Sequence, residues 1–600
     1  MTTLCRGLAP RLMAGVVVAM MGCAAGPAAP ELREDLRVAD EAERQAVRGA
    51  LKAELDRSME RLALDGYETP YFMSYHLRDE ENYSVSGRFG AITGEGHTRQ
   101  RYVYVESRVG DYHFDNFANI DADSFRLSDY RADRIAPIDG DISALRGALW
   151  LLTDEAYKRA LSDYQTKRGG AVYAVEEDEI PSFSREEPQV YHGDPQPLEV
   201  DESQWRSLVR DVTAQMREHD FVMDAKMEMS ARRVVRFLVN SEGSDIIEES
   251  TLYTVHATAF TRADDGMLLD NSWRAYSRDA HRLPEPETIK REVEQMLADL
   301  DALRQAPIID PYTGPAILGP EAAGVLFHEA VGHRLEGERQ RDRWEGRTFA
   351  GQVGTRLMPE FLSVYDDASM AEFDGTQLNG FYRFDDQGVP GGRASLIESG
   401  RLVGFLMSRT PLEDFKNSTG HARAQGVNVP RARMANLVVE ADPDKLVSEE
   451  ELKEMLLAEV RAQDKPYGLI IRDITGGSTN TMGFGYQAFK GIPRLVYKVD
   501  AETGEETLVR GAELVGTPLS AISRIRAAAG KPQVFNGFCG AESGFVPVST
   551  VAPMLLTTEI ELQRSREGRE RSPILPPPWA DGGAEDESLA GDADGDDEGN

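Results

Sequence analysis

The stretch FHEAVGHRLEGE, residues 327–338, contains the side chains of this sequence best suited to metal chemistry. His328 and His333 can offer imidazole nitrogens to a divalent ion, and Glu329 stands where HExxH enzymes carry their general base. The histidines are five residues apart, however, instead of the common four. On a regular α-helix they would point about 140° apart, because each residue turns the helix by about 100°. A shared ion therefore requires a distorted helix, or one that ends before His333.

Two features could supply this distortion. Gly332 precedes the second histidine and tolerates non-helical backbone. A local π-type turn would also bring side chains five residues apart back to the same side of the helix. Farther along the chain, Cys539 lies in the glycine-flanked stretch FNGFCGAESG and could complete a His-His-Cys ligand set. The alternative for Cys539 is a small buried hydrophobic residue. Glu336 is a rival third ligand, and its alternative is a surface charge.

The composition limits the fold and the partners. The chain of 600 residues is long enough for two or more domains, and its formal net charge of −35 argues against a nucleic-acid partner, which phosphate repulsion disfavours. The patterns predict an α+β fold, with an N-terminal α/β domain containing an antiparallel sheet over 41–308 and a β-rich C-terminal domain over 309–565. Residues 174–197 are predicted to form an acidic exposed loop or insertion, and 566–600 a disordered acidic tail.

Hydrophobic periodicity indicates where the main elements lie. It predicts helices over 41–64, 141–168, 202–219, 285–304 and 448–462. Alternating runs predict strands, with a hairpin or meander formed by NYSVSGRFGAI and TRQRYVYVESRVG and a turn at Asn240–Gly243. GPAIL, 314–318, is predicted to be the strand before the histidine stretch, and Pro320 suits the first position of the next helix. Strand 245–262 could accept an extended peptide by β-addition; ordinary sheet pairing is the alternative.

The N-terminus carries a targeting pattern. Two arginines precede an apolar run that is too short for a typical transmembrane helix, which predicts a signal peptide over 1–22. The quartet Met-Met-Gly-Cys resembles a bacterial lipobox, so Cys23 is predicted to be lipidated and 23–40 to form a tether. The alternative is an ordinary signal peptide cut near Ala24. Both patterns predict export, and the first predicts a lipid anchor in the bacterial envelope, at the periplasm or outer membrane.

Several motifs together resemble the TldD branch of the TldD/PmbA metalloprotease family. The resemblance rests on HEAVGHRLEG, FDDQGVPGGRASLIESGRLVGFLMSR, STGHARAQGVNVPRARMAN and NGFCGAESGFVPVSTVAPMLLTTEIEL. It covers 310–563 closely, 200–305 less closely and the first 200 residues loosely. It implies a metal, Zn²⁺ or another divalent ion, one per subunit, held by His328, His333 and Cys539. It also implies Glu329 as the catalytic acid and base.

The resemblance further implies a metallopeptidase that acts on unstructured peptides or partly unfolded proteins. The ion would polarise the scissile carbonyl and acidify a water, and Glu329 would accept the proton and pass it to the leaving amine. Paired subunits are implied as well, either a homodimer or a heterodimer with a PmbA-like subunit. Two alternatives stay open: a non-catalytic partner subunit, and a structural lipoprotein that binds metal without turnover. The retained motif residues disfavour the first, and Glu329 disfavours the second.

Three further residues are candidates for substrate binding. His421, in STGHAR, could bind substrate or steady an oxyanion; the alternative is a structural histidine. Arg423 and Arg431 could hold a peptide carboxylate through paired N–H groups, and structural ion pairs are their alternative.

Overall fold

The computed structural model describes residues 41–117, 134–139, 141–171, 180–341, 346–481, 489–516 and 518–565. The predicted signal peptide (1–22), the tether with Cys23, the first residues of the predicted acidic loop and the predicted acidic tail (566–600) lie outside these ranges. What the sequence predicts for them stays a prediction. Among the described helices, none combines the length and the apolar character needed to cross a bilayer.

The first half of the described chain combines helices with long strands. Its elements are α1 (Glu41–Arg61), β1 (Pro70–Arg88), β2 (Ala91–Val109), β3 (Ile135–Ala136), α2 (Ile142–Ala171), β4 (Val190–His192), α3 (Glu202–Arg217), β5 (Asp224–Asn240), β6 (Asp245–Arg262), β7 (Leu268–Ser277) and α4 (Pro286–Gln305). The four helices predicted for this half are confirmed. They form because apolar residues recur along one buried face, as Val47, Leu51 and Leu55 do in α1.

A mainly antiparallel sheet lies at the centre of this half. Within the described residues its strands follow the order β3-β2-β1-β5-β6-β4, and β7 also pairs with β6. The hairpin of β1 and β2 is confirmed, but its turn lies inside NYSVSGRFGAI, at Phe89–Gly90, where φ is 53° and 86°. The predicted turn after β5 is also confirmed, since the Asn240 side chain accepts hydrogen bonds from the backbone N–H groups of Glu242 and Ser244.

Strand β6 is paired along most of both edges, so the hypothesis that 245–262 accepts a peptide by β-addition is wrong for most of its length; over 248–252 one edge has no partner among the described strands. On one edge it pairs with β5 along almost its whole length. On the other edge it pairs with β4 at 245–247 and with β7 over 253–262. Neighbouring strands therefore already use most of the backbone groups that a peptide would need. Ordinary sheet pairing, the alternative, is confirmed.

The described part of the predicted acidic loop, 180–197, packs against the body. Phe183 is only 1% exposed, and the guanidinium of Arg409 lies 4.0 Å from the centre of its ring. Farther along, β4 joins the sheet beside β6. Residues 182–184 are buried, whereas most of 185–197 is exposed, in line with the predicted exposed loop. Its aromatic and strand-forming residues determine its position more than its acidic composition does.

The second half contains many short strands and few helices, as predicted. Its elements are β8 (Tyr312–Leu318), α5 (Pro320–Phe327), β9 (Leu362–Asp367), β10 (Glu372–Phe373), β11 (Thr376–Gln377), β12 (Arg393–Glu398), β13 (Arg401–Leu402), β14 (Ala422–Arg423), β15 (Arg431–Ala432), β16 (Asn436–Ala441), β17 (Leu446–Val447), α6 (Glu449–Ala462), β18 (Tyr467–Ile471), β19 (Ile474–Thr479), β20 (Phe489–Pro493), β21 (Val496–Asp500), β22 (Glu506–Val509), β23 (Ala512–Gly516), α7 (Pro518–Ser523), β24 (Ile525–Ala541) and β25 (Gly544–Arg564). The strand and helix predicted around Pro320 are confirmed, as is the helix over 448–462, which begins with a capping box of Ser448 and Glu451.

A large mixed sheet organises the second half around β25. This strand pairs with β16, β23, β24 and β8. Helix α5 packs on the sheet through the main hydrophobic core, to which Phe327, Leu318 and Leu555 contribute fully buried side chains. The predicted α+β class, with an antiparallel N-terminal sheet and a β-rich second half, is confirmed. The same packing places the end of α5 beside β24, which carries Cys539.

Candidate metal centre

The backbone changes its winding at the end of α5. A π-helical turn spans His328–Gly332, and a 3₁₀ turn follows over His333–Leu335. A π turn takes one residue more than an α turn, so side chains five residues apart regain the same side of the helix. The π-type turn predicted as one way to reconcile the spacing is therefore confirmed. The helix is distorted, and the chain stays helical through His333.

Gly332 contributes through close packing. Its φ of −54° and ψ of −58° are ordinary right-handed helical values, so the proposal that it supplies non-helical backbone is wrong. A Cβ atom at this position would lie 2.0 Å from the sulfur of Met434. The missing side chain therefore lets the π turn approach the segment that carries Met434.

Three potential ligand atoms meet at this turn. The Nε2 atom of His328 lies 3.1 Å from Sγ of Cys539, and Nε2 of His333 lies 3.3 Å from the same sulfur. All three side chains are buried, and their ligand atoms lie within 4.8 Å of one another. Two imidazole nitrogens and a thiolate in this arrangement fit a zinc-type ion, which takes tetrahedral N and S ligands and leaves one position open in catalytic sites.

Charge coupling favours the protonation states that bind metal through sulfur. Burial opposes ionisation of the Cys539 thiol, but the charges of His333 and His328 and their hydrogen bonds outweigh it, so the pKa of the thiol lies well below its ordinary value. Burial likewise opposes protonation of His333, and the thiolate and Glu336 nevertheless raise the pKa of His333 well above its ordinary value. Without metal, the cluster is therefore a thiolate beside imidazolium groups. A divalent ion would replace the protons.

Glu336 holds His333 in position from behind. Its carboxylate accepts a hydrogen bond from Nδ1 of His333 at 3.1 Å, which leaves Nε2 for an ion. The carboxyl group is buried, and although burial alone would raise its pKa, His333, Arg339 and Arg433 lower the pKa of Glu336 to about 2. Both sequence interpretations of Glu336 are wrong: the residue is 2% exposed, and it contacts a candidate ligand instead of joining the ligand set.

Arg433 is a residue of this centre that the sequence reasoning missed. Its Nη2 donates to Sγ of Cys539 at 3.2 Å and to the Cys539 carbonyl oxygen at 2.7 Å. Its Nε lies 3.4 Å from the Glu336 carboxylate. Arg339 donates to the same carboxylate at 2.8 Å and also pairs with Glu542. These arginines neutralise the buried thiolate and carboxylate, and only the proximity of distant segments reveals Arg433.

Glu329 lines the same cavity as the three candidate ligands. This cavity, here called the metal cavity, has a volume of about 330 Å³; its lining includes His328, Glu329, His333, Cys539, Thr475–Thr479 and Glu542. Within the described residues the Glu329 carboxylate forms no ion pair, while a Cβ atom on Gly477 would come within 2.8 Å of its Cγ atom. Gly477 therefore makes room for the Glu329 side chain at the wall of the cavity.

The three predicted substrate-binding residues lie elsewhere, and none of them lines the metal cavity. His421 is completely buried, with Nε2 3.2 Å from an Asp366 oxygen, as a structural histidine would be. Arg431 forms an ion pair with Glu338 at 2.7 Å. Arg423 lines a second cavity.

A family model and several curated proteins match part of this chain. Residues 311–564 match the family model of the PmbA/TldA metallopeptidase C-terminal domain. A metalloprotease of Methanocaldococcus jannaschii is 33% identical over 236 residues, which are 39% of this chain and 47% of that protein. A protein of Saccharolobus solfataricus, described as a zinc metalloprotease TldD homolog, is 28% identical over 284 residues, 45% of this chain and 57% of that protein. The chain spans about half the length of the curated relatives it matches.

The fold resembles a solved structure over a longer range. The crystal structure of TldE from Thermococcus kodakarensis superposes with a TM-score of 0.54 and 15% sequence identity, covering 86% of this chain and 100% of that chain. This likeness concerns the fold alone. The segment that matches the family model, 311–564, contains all three residues of the buried His-His-Cys cluster.

Proposed function

We propose that this protein is a metallopeptidase that hydrolyses unstructured peptides or partly unfolded proteins. The observation that carries the proposal is the convergence of His328, His333 and Cys539 with Glu329 on one cavity. A purely structural metal site needs no carboxylate free of ion pairs beside its ligands. Zinc is the proposed ion, one per subunit, supported by the ligand types and by the name of the Saccharolobus solfataricus relative; another divalent ion is the alternative.

The proposed mechanism assigns a separate role to each group. A bound divalent ion supplies Lewis acidity toward the scissile carbonyl and toward water. Glu329 accepts a proton from the attacking water and delivers it to the leaving amine. Arg433 and Glu336 keep Cys539 and His333 in their ligand states, through the contacts described above.

The extended peptide is proposed to run along β19. Among the described strands, β19 pairs only with β20, and Thr475–Thr479 line the metal cavity. The backbone groups of its other edge can form hydrogen bonds with the backbone of a substrate, whatever the substrate's side chains are. This suits unstructured substrates of varied sequence, and Gly476 in β19 leaves space for them, since a Cβ atom there would meet nothing within 4 Å.

Elemental analysis of the purified full chain, combined with cleavage of an unfolded peptide mixture, tests this function. Wild type is expected to bind about one metal ion per chain, and Cys539→Ala to lose it. Glu329→Gln is expected to keep the metal while kcat falls by about 10²- to 10⁴-fold. Glu360→Gln, at an exposed carboxylate, is the matched control and should change neither quantity.

Two other results would refute the proposal. Metal binding without cleavage in wild type would support a structural metal-binding protein. A wild type that can neither carry nor regain metal would support a non-catalytic partner subunit.

We also propose paired subunits and an exported, lipid-anchored location, both on the sequence arguments given above. Light scattering of the purified chain, alone and with a PmbA-like protein, tests the homodimer and the heterodimer. Mass spectrometry of the envelope fraction tests acylation of Cys23. A Cys23→Ser variant that stays in the envelope fraction unchanged would contradict the lipid anchor.

A further inference from the structure

A second cavity lies between the N-terminal sheet and the second half of the chain. It has a volume of about 380 Å³ and is here called the arginine cavity; its lining includes Arg78, Arg236, Arg278, Asn379, Asp385 and Arg423. It shares no lining residue with the metal cavity. Both cavities border the β24–β25 hairpin, since Cys539 lines one and its cross-strand neighbour Val546 lines the other.

Arg278 enters this cavity without a carboxylate partner. Its guanidinium donates to the backbone carbonyl oxygens of Leu378, Asn379 and Phe381 at 3.2, 2.8 and 2.6 Å. These bonds use Nε and Nη2, so they leave Nη1 unused. Burial, and then the like charge of Arg423, lower the pKa of Arg278 to about 10. The side chain is therefore a cation whose charge the described residues do not neutralise by direct contact.

Arg423 is the second such cation. It is 7% exposed, and it donates to the carbonyl oxygens of Met434 at 2.5 Å and Pro547 at 2.7 Å. Its guanidinium lies 5.0 Å from the centre of the Tyr382 ring. Each Nη carries two hydrogens, so one on each nitrogen stays available. Burial lowers the pKa of this arginine as well.

The other interior arginines of the cavity are already neutralised. Arg78 and Arg236 both contact Asp386, at 2.7 and 2.6 Å, and Arg236 also pairs with Glu248 at 2.5 Å. Glu249, which also lines the cavity, pairs with Arg44 and Arg233 outside the lining. Asp385 accepts only backbone N–H groups. Arg278 and Arg423 against Asp385 therefore leave a surplus of one positive charge in this part of the structure. A monoanion matches this surplus better than a phosphate dianion does.

Asn379 adds a neutral donor to the same place. It is 3% exposed, and its side-chain Nδ2 has no hydrogen-bond partner among the residues that the structure describes. A buried donor without a partner costs about 1–3 kcal/mol, so an acceptor from a ligand would stabilise it. Its backbone carbonyl already accepts from Arg278, which places the amide next to that guanidinium.

We propose that the arginine cavity binds a carboxylate-bearing small molecule or peptide C-terminus, with the carboxylate held by Arg278, Arg423 and Nδ2 of Asn379. An ionised carboxylate has only acceptors and a single negative charge, which fits three donors and a surplus of one cation. The cavity volume is within the range of small-molecule sites. Aromatic side chains of the lining, Phe384 and Phe545, offer apolar contact to the rest of the ligand. The site is independent of the proposed peptidase activity.

Calorimetric titration of the metal-loaded full chain with a matched pair of probes tests this site. N-acetyl-phenylalanine carries the carboxylate, and N-acetyl-phenylalaninamide differs only in lacking the charge. The acid is expected to bind at least about tenfold more tightly than the amide, because hydrogen bonds to a charged acceptor are the stronger ones. Equal affinities, or no binding of either probe at millimolar concentration, would overturn the proposal.

Variants locate the binding. Arg278→Gln is expected to weaken acid binding by at least about tenfold, whereas Arg401→Gln removes the same charge from an exposed position and should leave it unchanged. Asn379→Asp places a carboxylate inside the cavity; this variant should unfold at a temperature no lower than wild type and should lose acid binding. If Arg278→Gln does not fold, acid binding by Asn379→Asp tests the proposal instead, and binding as tight as in wild type would overturn it.

Further titrations distinguish the arginine cavity from the metal as the binding site and a carboxylate from other anions as the ligand. The metal-free Cys539→Ala variant should still bind the acid; loss of binding there would assign the carboxylate to the metal and overturn the proposal, whatever the peptidase result. Inorganic phosphate that binds more tightly than the acid would also overturn it. A peptide acid that binds more tightly than N-acetyl-phenylalanine supports a peptide C-terminus as the ligand, and equal affinity supports a small free carboxylate.

Discussion

The metal cavity and the arginine cavity border the same hairpin, but their buried charges are neutralised in different ways. At the metal centre, the Cys539 thiolate and the Glu336 carboxylate behind His333 each meet cationic groups, with Arg433 in contact with both. In the arginine cavity, Arg278 and Arg423 meet only carbonyl oxygens and aromatic rings. At the metal centre, the thiolate and this carboxylate therefore both have cationic partners, and a metal ion would only replace the protons of the ligands. The two arginines of the arginine cavity lack a contacting anion, and none of the residues that the structure describes supplies one.

Replacing one arginine beside the metal ligands and one from the arginine cavity tests this difference most directly. Arg433→Met is expected to lower the free energy of unfolding by about 3–5 kcal/mol, because it leaves buried anions with one cation fewer. Arg423→Met should cost less, about 1–3 kcal/mol, because it removes donors from two carbonyl oxygens and no partner from a carboxylate. Denaturant unfolding of the metal-free chain measures both. Equal losses would contradict the contrast between the two cavities.

The hydrogen bond between Glu336 and Nδ1 of His333 predicts an effect on metal affinity, smaller than the stability losses above. Glu336→Gln is expected to weaken metal binding by about 10- to 100-fold, because the amide holds the His333 ring less firmly and donates less charge to it. Competition with a chelator measures the affinity. Glu338→Gln, which breaks the ion pair with Arg431, is the matched control. If both variants bind metal as tightly as wild type, Glu336 has no role in tuning the ligand.

The same carboxyl predicts a dependence of stability on pH. The folded pKa of Glu336 is about 2, below its ordinary value of 4.5, so its stabilising contribution is complete above about pH 4.5 and is lost as the pH falls toward 2. Thermal unfolding of the metal-free chain between these values should therefore show a steeper loss for wild type than for Glu336→Gln. Parallel curves would exclude a strong contribution from this group.

The smallest expected effect concerns the close packing of Gly332. Gly332→Ala should cost about 1 kcal/mol, because the new methyl group must displace the sulfur of Met434, which lies on a flexible side chain. The cost should disappear in a Met434→Ala background, since the two sites are in contact. Gly49→Ala is the control: this α1 position has open space, and the substitution should stabilise the helix. Equal effects in both backgrounds would contradict the packing argument.

Local patterns in the sequence predict the ligands better than they predict the groups around them. The helical periodicity, the five-residue spacing of His328 and His333 and the π-type turn all follow from neighbouring residues, and each agrees with the fold. Arg433 contacts Cys539 from 106 residues away, and no spacing rule joins them. The sequence leaves the pairing of β6 open for a similar reason: alternation indicates a strand, but only tertiary structure determines whether its edges are occupied.

The arginine cavity illustrates the same limit. The sequence singles out Arg423 as a carboxylate ligand, yet it gives no sign of Arg278, which comes just after β7 in the first half of the chain. Only the docking of the two halves brings these guanidinium groups to one space. Charge surplus is a property of the assembled cavity and cannot be counted along the chain.

The separation of the ligands along the chain has a consequence for biosynthesis. His328 and Cys539 are 211 residues apart, and Cys539 lies on the next-to-last described strand. A growing or interrupted chain presents two histidines without the thiolate, and the strand pairing that aligns them is still missing. The complete centre can therefore assemble only after residue 539 has been synthesised, so products truncated before Cys539 are expected to be inactive.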